Sequence, residues 1–207
     1  MWFKVQEEEK ADAIKKLLEE NKFSGQVIAT LDDVTDRTLG LLENPTKEGP
    51  WDRRGMVVGH VQSGKTANYT GLICKAADAG YRLIVVIAGI HNNLRNQTQT
   101  RIDEGFVGRD SARLLSKKED SFIGVGKYDQ KRRPVTFTNS VKDFNKNMAT
   151  SMGIPLQNLN EPAVFVIKKN TTTLKNLIDW LKEHSAKRGD MKVETPMLLI
   201  DDEADNA

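Results

Sequence analysis

Three stretches of the chain are unbroken apolar runs that end in polar or charged residues: "RLIVVIAG" at 82–89, "AVFVIKK" at 163–169 and "PMLLIDD" at 196–202. A strand tolerates such a run only when both of its faces are covered, which is the condition of parallel strands inside an α/β protein. Parallel neighbours also need a crossover between them, and helical stretches at 65–79, 93–103 and 171–185 provide it. With "GMVVG" (55–59) and "PVTFT" (134–138) read as two more strands, the alternation predicts an α/β fold, a parallel sheet flanked by helices. The stretch 105–133 is polar, basic and weakly periodic, and reads as an irregular insertion.

Ahead of this pattern, residues 1–48 read as a helical segment. Ile14, Leu17 and Leu18 share one stripe within 5–22, and a second helix after Ser24 turns Val27, Ile28, Leu31, Val34, Leu41 and Leu42 inward. "ENPTKEGP" (43–50) then breaks the periodicity with two prolines and a glycine. It marks the boundary with the domain expected over 55–207.

Cys74 is the single cysteine, which excludes an intramolecular disulfide framework and fits a reducing cytoplasm. The N-terminal "MWFKVQEEEK" lacks the apolar core of a signal peptide. The longest apolar run, 83–90, falls well short of the ~20 residues a membrane span needs. A cytoplasmic protein without a membrane partner is expected. The net charge of +2 is unevenly spread: 51–150 carries 17 basic and 9 acidic residues, whereas 1–50 carries 7 and 11. That basic middle suits a polyanionic partner, or else is a solvated face.

The middle also holds "GHVQSGKT" at 59–66, which fits G-x-x-x-x-G-K-[ST] between a strand and a helix. In such a loop Gly59 and Gly64 let the backbone wrap around a phosphate, with Gln62 and Ser63 inside the wrap. Lys65 places a charge on the β- and γ-phosphates, and Thr66 offers its hydroxyl to Mg²⁺ at the positive end of the helix. A triphosphate site also needs carboxylates at the end of a neighbouring strand. Asp201, Asp202 and Glu203 follow "MLLI", and three adjacent acids are costly unless a cation joins them. ATP and Mg²⁺ are the cofactors expected.

"DEAD" at 202–205 and "GHVQSGKT" resemble the second and first motifs of superfamily 2 helicase-like ATPases. More closely, the stretch from "RGMVVGHVQSGKT" to "IAGIHNNLRNQTQTRID", with "FVIKKNTTTLKNLIDWL" and "LLIDDEADNA", resembles the Z-one domain family. These are bacterial superfamily 2-like ATPases described as endonucleases and linked to restriction–modification and phage defence. The resemblance covers about 55–207 and implies a RecA-like first lobe, incomplete here, with a second ATPase lobe or partner subunit expected. It implies Mg²⁺ held through Asp202 and Glu203 as the base activating water, and weak or no turnover by this chain alone. Asp205 matches the closing acid of the motif.

Other residues admit two readings. Arg95, Gln97 and Arg101, after the second strand, and Lys168, Lys169 and Asn170, where a strand meets a helix, suit nucleic-acid phosphates or a solvated surface. Trp51, near Arg54, stacks on a base or closes a core edge. Two functions of different class remain open: an ATPase lobe of a DNA-acting enzyme, and a nucleotide-dependent regulatory module that binds a protein partner. A P-loop kinase is disfavoured, since Arg132 and Arg133 are the nearest thing to an arginine-bearing lid.

Overall fold

The computed structural model describes residues 9–59, 64–115, 121–154, 156, 159–185 and 193–204. Four strands form one sheet: β1 (Leu83–Ile87), β2 (Val135–Thr136), β3 (Ala163–Ile167) and β4 (Met197–Asp201), in the order β2-β3-β1-β4. Every pairing is parallel, with Leu83 opposite Ala163 and Met197, and Ile87 opposite Ile167 and Asp201. Among the described residues seven α-helices flank it: α1 (Glu9–Glu20), α2 (Gly25–Leu41), α3 (Lys65–Ala79), α4 (Asn92–Ile102), α5 (Ser111–Leu115), α6 (Lys146–Ser151) and α7 (Thr171–Ser185).

The period of two explains why the central strands are apolar throughout. Ile84, Val86, Val164 and Val166 face a core built with α1, α2, α3 and the end of α4. Leu83, Val85, Ile87, Phe165 and Ile167 face a second core with Leu177, Trp180 and Leu181 of α7. All ten residues of β1 and β3 are buried, each aliphatic side chain contributing about 1.5–3 kcal/mol. On the α7 side, Phe137 stacks on Phe165 at 4.7 Å, and Trp180 packs on both. The fold is thus α/β, a four-stranded parallel sheet flanked by helices. No helix among the described residues is long and apolar enough to cross a membrane.

The expected strand at 55–59 does not form. These residues are outside any described strand, and Met56, Val57 and Val58 are 84, 57 and 83% exposed. Apolar β-branched residues favour extended backbone, but a strand exists only where a neighbour offers a ladder. Both edges of β1 are taken by β3 and β4, and 55–59 does not pair with the outer edge of β4, which stays open at the end of the sheet.

The N-terminal helices are integral to the same core. Leu17, Leu18, Ile28 and Leu39 join Tyr69, Leu72 and Ile73 of α3 in one apolar cluster. Ser24 caps α2 by accepting from the Val27 amide. Buried Lys75 of α3 pairs with Asp32 at 2.6 Å and Asp36 at 2.5 Å, tying α2 to α3. Asp78, at the other end of α3, accepts from the Lys10 and Ala11 amides and so holds the start of α1. The described residues of 105–133 are irregular but closely packed, with a π-helical turn at Asp103–Val107 and a 3-10 turn at Gly124–Lys127. A Cβ on Gly126 would stand 2.0 Å from the Gly108 carbonyl oxygen, so only glycine permits that crossing.

Asp103 closes α4 onto α5. Its carboxyl is 2% exposed and accepts from Gln99 Nε2 at 2.9 Å, Ser111 N at 3.1 Å and Ser111 Oγ at 2.5 Å. Burial outweighs those bonds and pushes it up to about 6. A carboxyl raised above its unfolded value stabilises the fold fully below about pH 4, and that contribution is lost as pH rises through 6. The stability margin of wild type over Asp103→Asn in urea is therefore expected to be largest near pH 4. It should shrink toward pH 7 by on the order of 1–3 kcal/mol; a margin that grows with pH would contradict this.

Candidate functional site

Parallel pairing sets the C-terminal ends of β1, β3 and β4 side by side, and helices begin from the same edge, where ligands of open α/β sheets bind. Gly64 (φ +78°) turns the chain into α3, and Lys65 and Thr66 form its first residues. Lys65 is exposed and Thr66 half-buried. Gly59 is described as partly exposed coil. Gln62 and Ser63 fall within 60–63, and Asp205 within 205–207, outside the described residues.

The acidic end of β4 lies opposite this helix start. The Asp202 amide donates to the Ile87 carbonyl at 3.0 Å, which extends the β4–β1 ladder into the acidic turn. Tyr69, one turn along α3 from Thr66, donates its hydroxyl to Asp202 Oδ2 at 3.2 Å. Burial, then the Asp202 charge, pushes the Tyr69 phenol up to about 12, so at neutral pH it stays a donor. Burial is the largest influence on Asp202 and raises its carboxyl above the usual range. Glu203 adds to this, whereas the Tyr69 bond, Lys65 and Arg101 pull the other way. A carboxylate held at such a cost is stabilised by a cation beside it.

Lys169, expected to touch nucleic acid, instead brackets the acidic turn. Its Nζ pairs with Asp201 Oδ2 at 3.1 Å and donates to the Glu203 carbonyl at 3.0 Å. Asp201 Oδ1 is buried without a hydrogen-bond partner among the described residues. Gly89, at the end of β1 with φ +72°, leaves room for Glu203, because a Cβ there would stand 3.1 Å from Glu203 Cγ.

Arg95 does not meet its expectation. It is 1% exposed, and its guanidinium donates to the Val166 and Asn139 carbonyls and to Asn96, bracing β3 against the turn at 139. A guanidinium spent on interior carbonyls cannot reach an external phosphate. Arg101 is exposed, and its Nη1 donates to Thr66 Oγ1 at 3.0 Å, which sets it at the start of α3. Gln97 is exposed on α4, and Lys168 Nζ donates to Asn92 Oδ1 at 3.0 Å. Asn170 caps α7 by accepting from the Thr172 and Thr173 amides. Trp51 closes a core edge, edge-on to Tyr81 at 6.0 Å, and Arg54 pairs with Asp52 at the surface.

Tyr69 and Gly89 were not singled out in the sequence. Tyr69 was accessible in principle, since it falls three residues after Thr66 on one helix face.

Among the described residues no three His, Cys, Asp or Glu side chains gather as a metal-holding group. A Mg²⁺ bound with a nucleotide does not require one. It keeps several waters and takes one or two carboxylates together with phosphate oxygens. Asp202, held by Tyr69, and the Thr66 hydroxyl are the residues that would hold such an ion.

In comparison with known proteins, no family model, no curated protein and no solved structure matches the chain.

Lys169→Met removes the bracket while keeping much of the apolar stem. A loss of about 1–2 kcal/mol in urea unfolding is expected, since the pair is partly screened by solvent. Unchanged stability would show that the bracket contributes nothing to holding the turn.

Proposed function

We propose that the chain is a P-loop, RecA-like lobe that binds ATP with Mg²⁺ and belongs to a helicase-like, DNA-acting protein of the restriction or phage-defence kind. The observation that carries this reading is the bridge from α3 to the acidic end of β4. Tyr69, one turn after Thr66 on α3, donates to Asp202, with Lys65 at the helix start and Glu203 next to Asp202 in the chain. Those are the parts a magnesium triphosphate requires, on the edge of a parallel sheet where it would sit. The order β2-β3-β1-β4 supports the reading by setting β1 between the strand that ends in Lys168 and Lys169 and the strand that ends in the acids.

In this reading Mg²⁺ supplies charge neutralisation on the β- and γ-phosphate oxygens. Lys65 neutralises phosphate charge, and the free amides at the start of α3 add to that attraction. Thr66 and Asp202 would hold the metal, with Tyr69 fixing the Asp202 carboxylate. Glu203 accepts a proton from the attacking water, with its backbone held by Lys169 and its side chain given space by Gly89.

For the nucleic-acid half of the reading, with Arg95 buried and Lys169 engaged, Gln97, Arg101 and Lys168 are the candidates left on that surface. A second reading, a nucleotide-dependent regulatory module, is favoured by one observation: α2 is locked to α3 through Lys75, so a shift of the loop helix moves the N-terminal helices with it.

Titration with a fluorescent ATP analogue tests the proposal. The chain should bind in the presence of Mg²⁺, and Lys65→Ala should weaken binding at least about tenfold, the cost of a charged hydrogen bond to phosphate. Equal binding by both proteins would refute the site. If DNA changes the ATP affinity, linkage favours the DNA-acting lobe; if DNA has no effect, the regulatory module gains.

A further inference from the structure

The two outer edges of the sheet are built differently. At one end the edge strand β2 is two residues long and follows Pro134, whose carbonyl accepts from Arg109 Nη2 at 3.2 Å. Short strands, prolines and covering side chains are the means by which a sheet keeps an edge from pairing. At the other end β4 runs as Met-Leu-Leu-Ile-Asp, with no lysine, arginine or proline within it. An unguarded apolar edge of that kind is a template for another strand.

The bonds to β1 define which groups of β4 are left over. The Leu83 amide donates to the Pro196 carbonyl at 3.1 Å and the Asp202 amide to the Ile87 carbonyl at 3.0 Å, with Leu83 level with Met197. Backbone groups alternate sides along a strand, so Leu198 and Ile200 turn toward β1 as well. The N–H and C=O groups of Met197, Leu199 and Asp201 turn outward. Among the described residues no hydrogen bond reaches those outward groups. The side chains are uneven too. Leu198 is 7% exposed in the core shared with α3, whereas Leu199 is 51% exposed. Leu199 is level with Val85, but the core that covers Val85 does not extend to it.

The chain's own apolar segment 55–59 leaves this edge unpaired, although its tether holds it at an effective concentration of about millimolar. The strand that fits must come from another molecule, and a second β4 meets each requirement. Run antiparallel about a two-fold axis at Leu199, the two strands exchange the N–H and C=O groups of Leu199. The two Leu199 side chains then lie on one face with Cβ atoms about 4.5–5.5 Å apart, and each covers the other. Antiparallel pairing also offsets the two acidic turns by the length of β4, roughly 14 Å, beyond the ~8 Å screening length of physiological salt. A parallel copy would set those turns side by side.

We infer that the outer edge of β4 is a self-association surface, on which two copies of this chain join through antiparallel β4 strands into one continuous sheet centred on Leu199. The joint is a single strand pair, smaller than a standard interface, so the dimer is weak, with a dissociation constant on the order of 10–100 µM. It does not rest on the nucleotide reading, because Asp202 and Glu203 lie beyond the paired residues.

The test uses the 207-residue chain in sedimentation velocity from about 1 to 300 µM, a range that brackets the expected constant. Wild type should pass from monomer toward twice that mass, and Leu199→Lys and Leu199→Glu should stay monomeric with unchanged thermal melting, since the position is exposed. Leu199→Cys should form a disulfide-linked dimer under mild oxidation, because antiparallel neighbours lie within disulfide reach. Val141→Cys, another exposed apolar position, should cross-link far more slowly; Cys74 is buried and stays out of the reaction. A wild type that remains monomeric throughout would overturn the inference. So would Leu199→Lys associating like wild type, or Leu199→Cys cross-linking no faster than Val141→Cys. A monomer with the Leu199 amide protected from hydrogen exchange would show that the chain covers its own edge, and would overturn it as well.

Discussion

β1 is hydrogen-bonded in parallel on both sides, and the placement of every candidate residue depends on that. Parallel pairing with β3 and β4 sends the three strand ends to one edge, in a register that sets Ile87 level with Ile167 and Asp201. From that level the chain delivers Gly89, Lys168 with Lys169, and Asp202 with Glu203 to adjacent points. The register is fixed by the two cores, because a slip of one residue would turn Ile84 and Val86 to the wrong face. The apolar runs thus determine which charged residues meet, although none of those charges lies within the runs.

The charges that meet are arranged asymmetrically. Asp202 is held by Tyr69 from α3, whereas Glu203 is fixed through its backbone by Lys169 and given room by Gly89. One acid is therefore tied to the helix start and the other to the strand ends. In the function we propose, this asymmetry would give the two carboxylates different tasks, one toward a metal and one toward a water. The N-terminal helices join the same mechanical unit through Lys75, so the loop helix is anchored at both its flank and its far end, by Asp32, Asp36 and the Asp78 contact with α1.

Much of the framework was legible in the sequence because it depends on local periodicity. α3 and α7 fall over 65–79 and 171–185 as expected, and three apolar runs become β1, β3 and β4 within a residue or two of each end. The segment 55–59 was not legible: its apolar β-branched residues read as a strand, but strand formation depends on a free partner, which composition does not encode. Arg95 and Arg101 illustrate the same limit for side chains. Both are arginines on one polar helix, and only the packing of α4 against β3 decides that the first is buried and the second reaches Thr66. The role of Lys169 was hidden likewise, since its partners are more than thirty residues away in the chain. The dense glycine packing within 105–133 gave no periodic signal because it arises from contacts between distant turns.

The central claim is that Asp202 and Thr66 hold a magnesium–nucleotide complex, and the magnesium dependence of ATP binding tests it most directly. Calorimetric titration with ATP would be run in Mg²⁺ and in EDTA, for wild type and Asp202→Asn. The account predicts that Mg²⁺ tightens ATP binding to the wild type at least about tenfold and that Asp202→Asn abolishes most of that gain. Equal ATP affinity with and without Mg²⁺ in the wild type, or an undiminished magnesium effect in Asp202→Asn, would contradict it.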